Sequence, residues 1–226
     1  MEQGVKRYTA RRLIAVFLGN ILIGIGVAIF RMTLLGNDPS TAFVLSVAAK
    51  AGMALAPMLW ICGAAWFVLE LIWGRKFIGL GTFVNWFLLG VVADGVTWVL
   101  NHFFTVPEAF LPRFLIMLLT LPVVSLGVSL YQSSELGASP YDSLALILDD
   151  RLPKLPYFWC RIAVDGTSTL LAFLLGGIVG WGTLACALCL GPFVHFFNKH
   201  ISEPFCQVPK NEPEPFENAE ESGKNA

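Results

Sequence analysis

The chain repeats its own punctuation. Displacing the sequence by 101 residues lays Gly26 on Gly127, Gly36 on Gly137, Gly79 on Gly180, Gly81 on Gly182 and Gly90 on Gly191. Pro39 falls on Pro140 and Thr82 on Thr183 in the same register, without a gap. The residues between are mostly unlike. Glycine and proline fix where a backbone turns, breaks a helix or packs closely, so what recurs is a backbone plan. It predicts two copies of one structural unit.

Composition says which medium the units are made for. Of 226 residues, 56% are hydrophobic and 14% charged, with a mean hydropathy of +0.68; soluble domains carry roughly 25% charged residues. Apolar runs occupy about 13–30, 57–73, 79–100, 110–130, 157–179 and 182–197. Runs of about 18 or more apolar residues are long enough to span a bilayer. The expectation is a multi-pass membrane protein whose first partner is lipid. An odd number of cysteines, five, makes no disulfide framework. Cys186 and Cys189, with His195 beyond them, read as packing residues of a helix interface and not as a metal site.

Charge placement predicts orientation. Lys6, Arg7, Arg11 and Arg12 precede the first run, which places the N-terminus in the cytoplasm. With six crossings, twelve basic residues fall on the inner side and only Arg31, Lys50 and Arg113 on the outer. Both termini are therefore expected in the cytoplasm, with the long first run an anchor and not a cleaved signal. The organisation reads as a basic lead (1–12), a first unit (13–102), a connection (103–109), a second unit (110–200) and an acidic, proline-rich, disordered tail (201–226).

Each unit carries a break after its first run. The first reads Leu35-Gly36-Asn37-Asp38-Pro39-Ser40-Thr41 and the second Leu136-Gly137-Ala138-Ser139-Pro140-Tyr141-Asp142. Both have the grammar of a helix start, with a small polar cap (Asp38 or Ser139) and proline at the first helical position. Ser139 and Asp142 resemble a capping box. The apolar stretches that follow, about 39–50 and 140–150, are too short to cross a membrane. Three spans per unit is an odd number, so the second unit enters the membrane inverted. The predicted fold is all-α: six transmembrane helices as two inverted three-helix repeats, each with a short non-spanning helix after its first span.

At these residues the chain resembles the YczE/YitT-like family of bacterial integral membrane proteins, nearest its YczE branch. The resemblance rests on Gly36-x-x-Pro39 and Gly137-Ala-Ser-Pro140-Tyr-Asp142-Ser-Leu144, on Gly79-Leu-Gly81-Thr82 with Gly90, and on Gly176 through Thr183 ending in Leu190-Gly191-Pro192. It covers nearly all of the chain except its ends. It implies a multi-span inner-membrane protein and no defined chemistry. Thr41 departs from the pattern, which has an acidic residue there, so two symmetric carboxylates are not available.

Ionisable residues inside spans cost about 2.5–3.5 kcal/mol each on insertion scales and tend to face a bundle interior. Arg161 and Asp165, one helical turn apart, form either a self-neutralising structural pair or part of a cavity lining. Asp94 and His195 occupy matching positions of the two units; Asp94 is a coupling candidate and His195 is expected near the headgroups. Glu70, close to Arg75, is expected to snorkel to the cytoplasmic face. Asp142 is the leading candidate for binding, although capping alone would also explain it. Ser139, Asp142, Ser143 and Thr183 are expected to converge with Asn37, Asp38, Thr41, Thr82 and Asn85 across the two-fold axis. Broken helices offer backbone groups for holding small ligands.

The leading functional reading is a transporter or permease for a small polar solute. No G-x-x-x-x-G-K-[ST] string occurs, so any ATP dependence falls to a separate ATPase. A non-transporting scaffold or regulatory protein acting through a partner is the alternative. H-E-x-x-H and G-x-S-x-G are also missing, and the expectation is no enzyme, no cofactor and no metal. The topology rule explains the basic lead, so no nucleic-acid partner is expected.

Overall fold

A computed structural model describes residues 9–207, and among these there are helices and no strands. In chain order they are α1 (Ala10–Thr33), α2 (Pro39–Ala51), α3 (Leu55–Trp73), α4 (Leu80–Phe103), α5 (Phe110–Ser133), α6 (Asp142–Arg151), α7 (Tyr157–Leu174), α8 (Trp181–Phe197) and α9 (Glu203–Cys206). A π-helical turn, Asn198–Ser202, joins α8 to α9, and a 3-10 turn, Arg75–Phe77, links α3 to α4.

Among the described residues five helices are long and apolar enough to cross a membrane: α1, α3, α4, α5 and the continuous Trp181–Cys206. The sixth expected span, α7, has 18 residues but is not among them; it carries Arg161 and Asp165 within that length. It also stops at Leu174, short of the expected 179, because Gly176 turns the chain at φ 79°. Residues 201–206, expected in the tail, instead prolong α8, and Cys206 packs with Ala15 and Leu130. The rest of the acidic tail and the first eight residues of the basic lead lie outside the described residues.

The two central helices are α1 and α5, with 56% and 50% of their apolar windows buried, against 17% for α4. They pack antiparallel through small residues. A Cβ added to Gly19 would sit 2.6 Å from the Gly127 carbonyl oxygen, and one on Gly127 would sit 2.8 Å from that of Gly19. Further along, Gly26 faces Val124 and Thr120. Close backbone approach is what small residues permit where lipid provides no hydrophobic drive between helices. Large apolar side chains such as Phe17, Trp98, Leu119, Phe173 and Leu188 point outwards, the pattern of a lipid-facing surface.

Around this seam one backbone pattern occurs twice, 101 residues apart. Leu34 and Glu135 are left-handed at φ 54° and 53°, and Gly36 and Gly137 follow at φ 107° and 117°, where a side chain would be strained. The hydroxyls of Thr33 and Ser134 donate to Phe30 O (2.7 Å) and Tyr131 O (2.6 Å). The carbonyl that each break leaves exposed is taken by the other half: Gly182 N donates to Leu35 O, and Gly81 N to Leu136 O, both at 2.7 Å. Helix N-termini have free N–H donors, and here α4 and α8 spend one each on the opposite break.

Candidate functional site

The two breaks start their short helices differently. In the first, Asp38 caps α2 by accepting the Thr41 N–H (3.1 Å), with Pro39 at the first position, as the sequence predicts. Burial pushes the Asp38 carboxyl up, against the Thr41 hydrogen bonds that lower it. In the second, α6 begins only at Asp142. Ser139 Oγ accepts the Asp142 N–H (3.0 Å), but the carboxylate does not close the box on the backbone. Instead Asp142 Oδ2 accepts the Ser139 hydroxyl (2.7 Å), and Oδ1 turns to Arg161.

Arg161 is the hub of this second site. Its Nη1 donates to Asp142 Oδ1 (2.5 Å) and its Nε to Asp165 Oδ2 (2.8 Å). The expected pair on one helix is therefore a triad that ties α6 to α7. Tyr141 completes it: the hydroxyl donates to Asp165 Oδ1 (2.7 Å) and lies 3.1 Å from Ser168 Oγ, while Arg161 sits over the ring at 5.6 Å. Burial, then the Asp165 charge, push the Tyr141 hydroxyl up, so it remains a donor. Trp66 of α3 closes the far side, its ring 5.1 Å from that of Tyr141. Two carboxylates on one guanidinium leave a net negative site in an apolar protein.

Glu70 overturns its expectation. It does not snorkel: it is 0% exposed, and neither carboxylate oxygen has a hydrogen-bond partner. Asp142 lies within electrostatic range. Ser143 is beside it, but the Ser143 hydroxyl donates to Pro140 O (2.9 Å). The buried hydroxyl of Tyr131 is also without a partner, close to Ser139 and within range of Asp142 and Glu70.

Eight of the nine residues expected to converge fall into two groups, one at each break, and each threonine sits at the break of the opposite unit. Thr82 accepts the Gly79 N–H (3.1 Å) beside Gly137, so it belongs with Ser139, Asp142 and Ser143. Thr183 lies against Gly36, with Asn37, Asp38 and Thr41. The exchange follows from α4 and α8 each docking on the opposite break. Asp38 stays within electrostatic range of Arg161 and Asp165. Asn85 joins neither group; it donates to Asn20 Oδ1 (2.7 Å), a fully buried residue of α1 that sequence reasoning missed. A cleft of about 510 Å³ between α1, α2 and the α7–α8 turn borders the first break and is lined by Arg31, Asn37, Ser46 and Lys50 among others. The side-chain carbonyl oxygen of Asn37 is buried there without a partner.

Asp94 joins three helices. Its Oδ1 accepts Arg31 Nη1 (2.7 Å) and its Oδ2 the Ala56 N–H (2.7 Å), so it caps α3 and ties α1 to α4. Asp94→Ala is expected to cost about 1 kcal/mol for the lost cap, with a further contribution from the stranded Arg31. The thermal midpoint of the purified protein checks this; ligand binding should persist. His195 is exposed on α8.

With this geometry in view, comparison with known proteins gives a family. The model of the family of unknown function DUF6198 matches residues 10–199. A Haemophilus influenzae relative named only as an uncharacterized protein is 28% identical over 178 residues, 78% of each chain. The Bacillus subtilis uncharacterized membrane protein YczE is 26% identical over 181 residues, covering 80% of this chain and 82% of its own. Another Bacillus subtilis protein, uncharacterized protein YyaS, is 22% identical over 188 residues, 83% of this chain and 92% of its own. No solved structure matches significantly. With its apolar helices and these relatives, the chain belongs to family DUF6198 and is a YczE-like multi-pass membrane protein.

Proposed function

We propose that the chain is a transporter or permease for a small polar solute, built as two inverted repeats and bound at the second break. The observation that carries this reading is the charged network itself. Asp142, Arg161, Asp165 and Tyr141 meet between the start of the short helix α6 and α7 inside an apolar protein, next to the unpartnered Glu70. Groups of this cost in a membrane interior mark solute and ion paths more often than they serve packing. Broken helices at the interface of repeats are where transporters hold their cargo. The reading includes no enzymatic step, and any energy source beyond an ion gradient would be a separate ATPase.

The inverted arrangement is supported by the antiparallel α1–α5 seam and by the reciprocal bonds of Leu35 with Gly182 and Leu136 with Gly81. A two-fold axis in the membrane plane would generate both. Cytoplasmic placement of both termini in the cell membrane is supported by their shared end of the bundle, where Arg12 Nε donates to Cys206 O (3.4 Å). An enzymatic reporter fused after Thr105 should read as outside; a cytoplasmic signal would sink the inverted model.

The test of transport is a thermal-shift screen of the purified protein against amino acids, organic acids, sugars, nucleosides and vitamins. A ligand at about 100 times its Kd adds roughly 2.7 kcal/mol to the folded state. The expected outcome is a saturable hit that Asp142→Asn weakens. No hit, together with a destabilised Asp142→Asn, would leave Asp142 a structural partner of Ser139 and Arg161 and overturn the proposal.

A further inference from the structure

We propose that Glu70 is a proton-binding site, holding a proton in the conformation described here and exchanging it when the second break opens. The geometry admits few other occupants. The residue is fully buried, and both carboxylate oxygens lack a protein partner. An ionised carboxylate so placed is severely penalised, whereas a neutral acid is not. A metal ion would need several oxygen ligands around it, and among the described residues no cluster of three or more acidic, histidine or cysteine side chains offers one. A proton needs neither ligands nor room.

The surroundings favour the same occupant. From α6 the charge facing Glu70 is Asp142, a like charge. From α5 it is the neutral phenol of Tyr131. From α2 and its cap, Lys50 is exposed and Asp38 faces Thr41 and the Arg161–Asp165 pair. From α4, Asp94 is taken by Arg31. The cations that follow α3 turn away: Arg75 Nε donates to its own Leu71 O (2.7 Å), and Lys76 pairs with Asp150.

This site could communicate with Asp142. Ionising Glu70 beside Asp142 adds negative charge where Arg161 already serves two carboxylates, so losing the proton favours separating α3 from α6. A solute that brings positive charge to Asp142 would release the proton, and the reverse. That coupling rests on the transport reading; the proton site does not.

The experiment is infrared spectroscopy of the full chain reconstituted in phosphatidylcholine vesicles, without solute, titrated from neutral to alkaline pH. Wild type should show the C=O stretch of a protonated carboxyl at neutral pH, lost reversibly as the pH rises. Glu70→Gln should fold, because an amide replaces a neutral acid of the same shape, and should lack that band. Its thermal midpoint should also lose part of the pH-dependent fall seen in wild type: the folded state holds a proton that the unfolded chain releases, so stability declines as pH rises from the ordinary carboxylate range to the pH at which the band disappears, and this contribution is flat above it. Tyr131→Phe, as a second variant, should keep the band but shift the pH at which it disappears. A wild type without the band, a band that survives Glu70→Gln, or a midpoint that instead depends on added sodium or potassium would overturn the proposal. A confirmed band with no hit in the solute screen would leave the proton site standing and remove only its coupling to transport.

Discussion

Arg161→Gln should be among the most damaging substitutions in this protein. It strands the carboxylates of Asp142 and Asp165 at once, and it cuts the tie between α6 and α7. Removing one partner of a buried pair costs about 3–5 kcal/mol, chiefly because a desolvated charge is left alone. The side chains here keep a quarter to a third of their surface in the protein alone, 33% for Arg161, 26% for Asp142 and 22% for Asp165, so the lower end, about 3 kcal/mol, is expected. Detergent unfolding of such a protein is commonly irreversible, and the measurement is then the half-life of the folded state at fixed temperature. The triple variant carrying Asp142→Asn and Asp165→Asn as well should recover most of the loss, since it removes the orphaned charges with the cation. A single variant as durable as wild type would mean that the triad is solvated and that the site is open to water.

Gly127→Val should be comparably severe for a steric reason. Even the first carbon of a side chain there meets Gly19 O at 2.8 Å and Ile23 N at 2.9 Å, and both are backbone atoms that cannot rotate aside. Overpacking in a core costs about 1–3 kcal/mol and more where backbone must move, and here it would separate the two central helices. Gly95 is the internal control: it lies within α4 with nothing inside 4 Å of an added Cβ. Gly95→Ala should raise stability by about 0.5–1 kcal/mol, as alanine does in a helix interior. If both substitutions gave the same small change, the α1–α5 contact would not be the seam of the fold.

Much of this architecture was written in glycine and proline. Gly36 and Gly137 located both breaks and Pro39 the start of α2, because a left-handed turn and a helix start have few acceptable side chains, whereas α6 starts two residues beyond Pro140, at Asp142. The places of the long helices followed from apolar runs, which report the medium, but not every end did: α7 stops at Leu174 and the last helix continues to Cys206. What the sequence concealed was partnership. Arg161 and Asp165 looked self-sufficient at one helical turn, and nothing in their spacing announced Asp142, 19 residues away. Asn20 stood as a lone amide in an apolar run, a signal that was present but silent about Asn85. Glu70 misled for a physical reason: nearness to Arg75 along the chain suggests a snorkelling side chain, yet its position on the helix turns it to the inside. Thr82 and Thr183 each lie at the break of the opposite unit, which no spacing announces, because only the docking of α4 and α8 decides which half each serves.

The reciprocal bonds between the halves also impose an order on synthesis. Leu35 is made early, but its carbonyl has no partner in the finished fold until Gly182 emerges, near the end of the second half. Until then an uncapped peptide group must wait in an apolar setting, where each unmet bond costs several kcal/mol. A nascent chain cut short anywhere before Gly182 thus displays the first break as an unfinished surface, legible to a chaperone or a membrane protease. Docking of the start of α8 closes it, so the first break is finished only once the second half has been made.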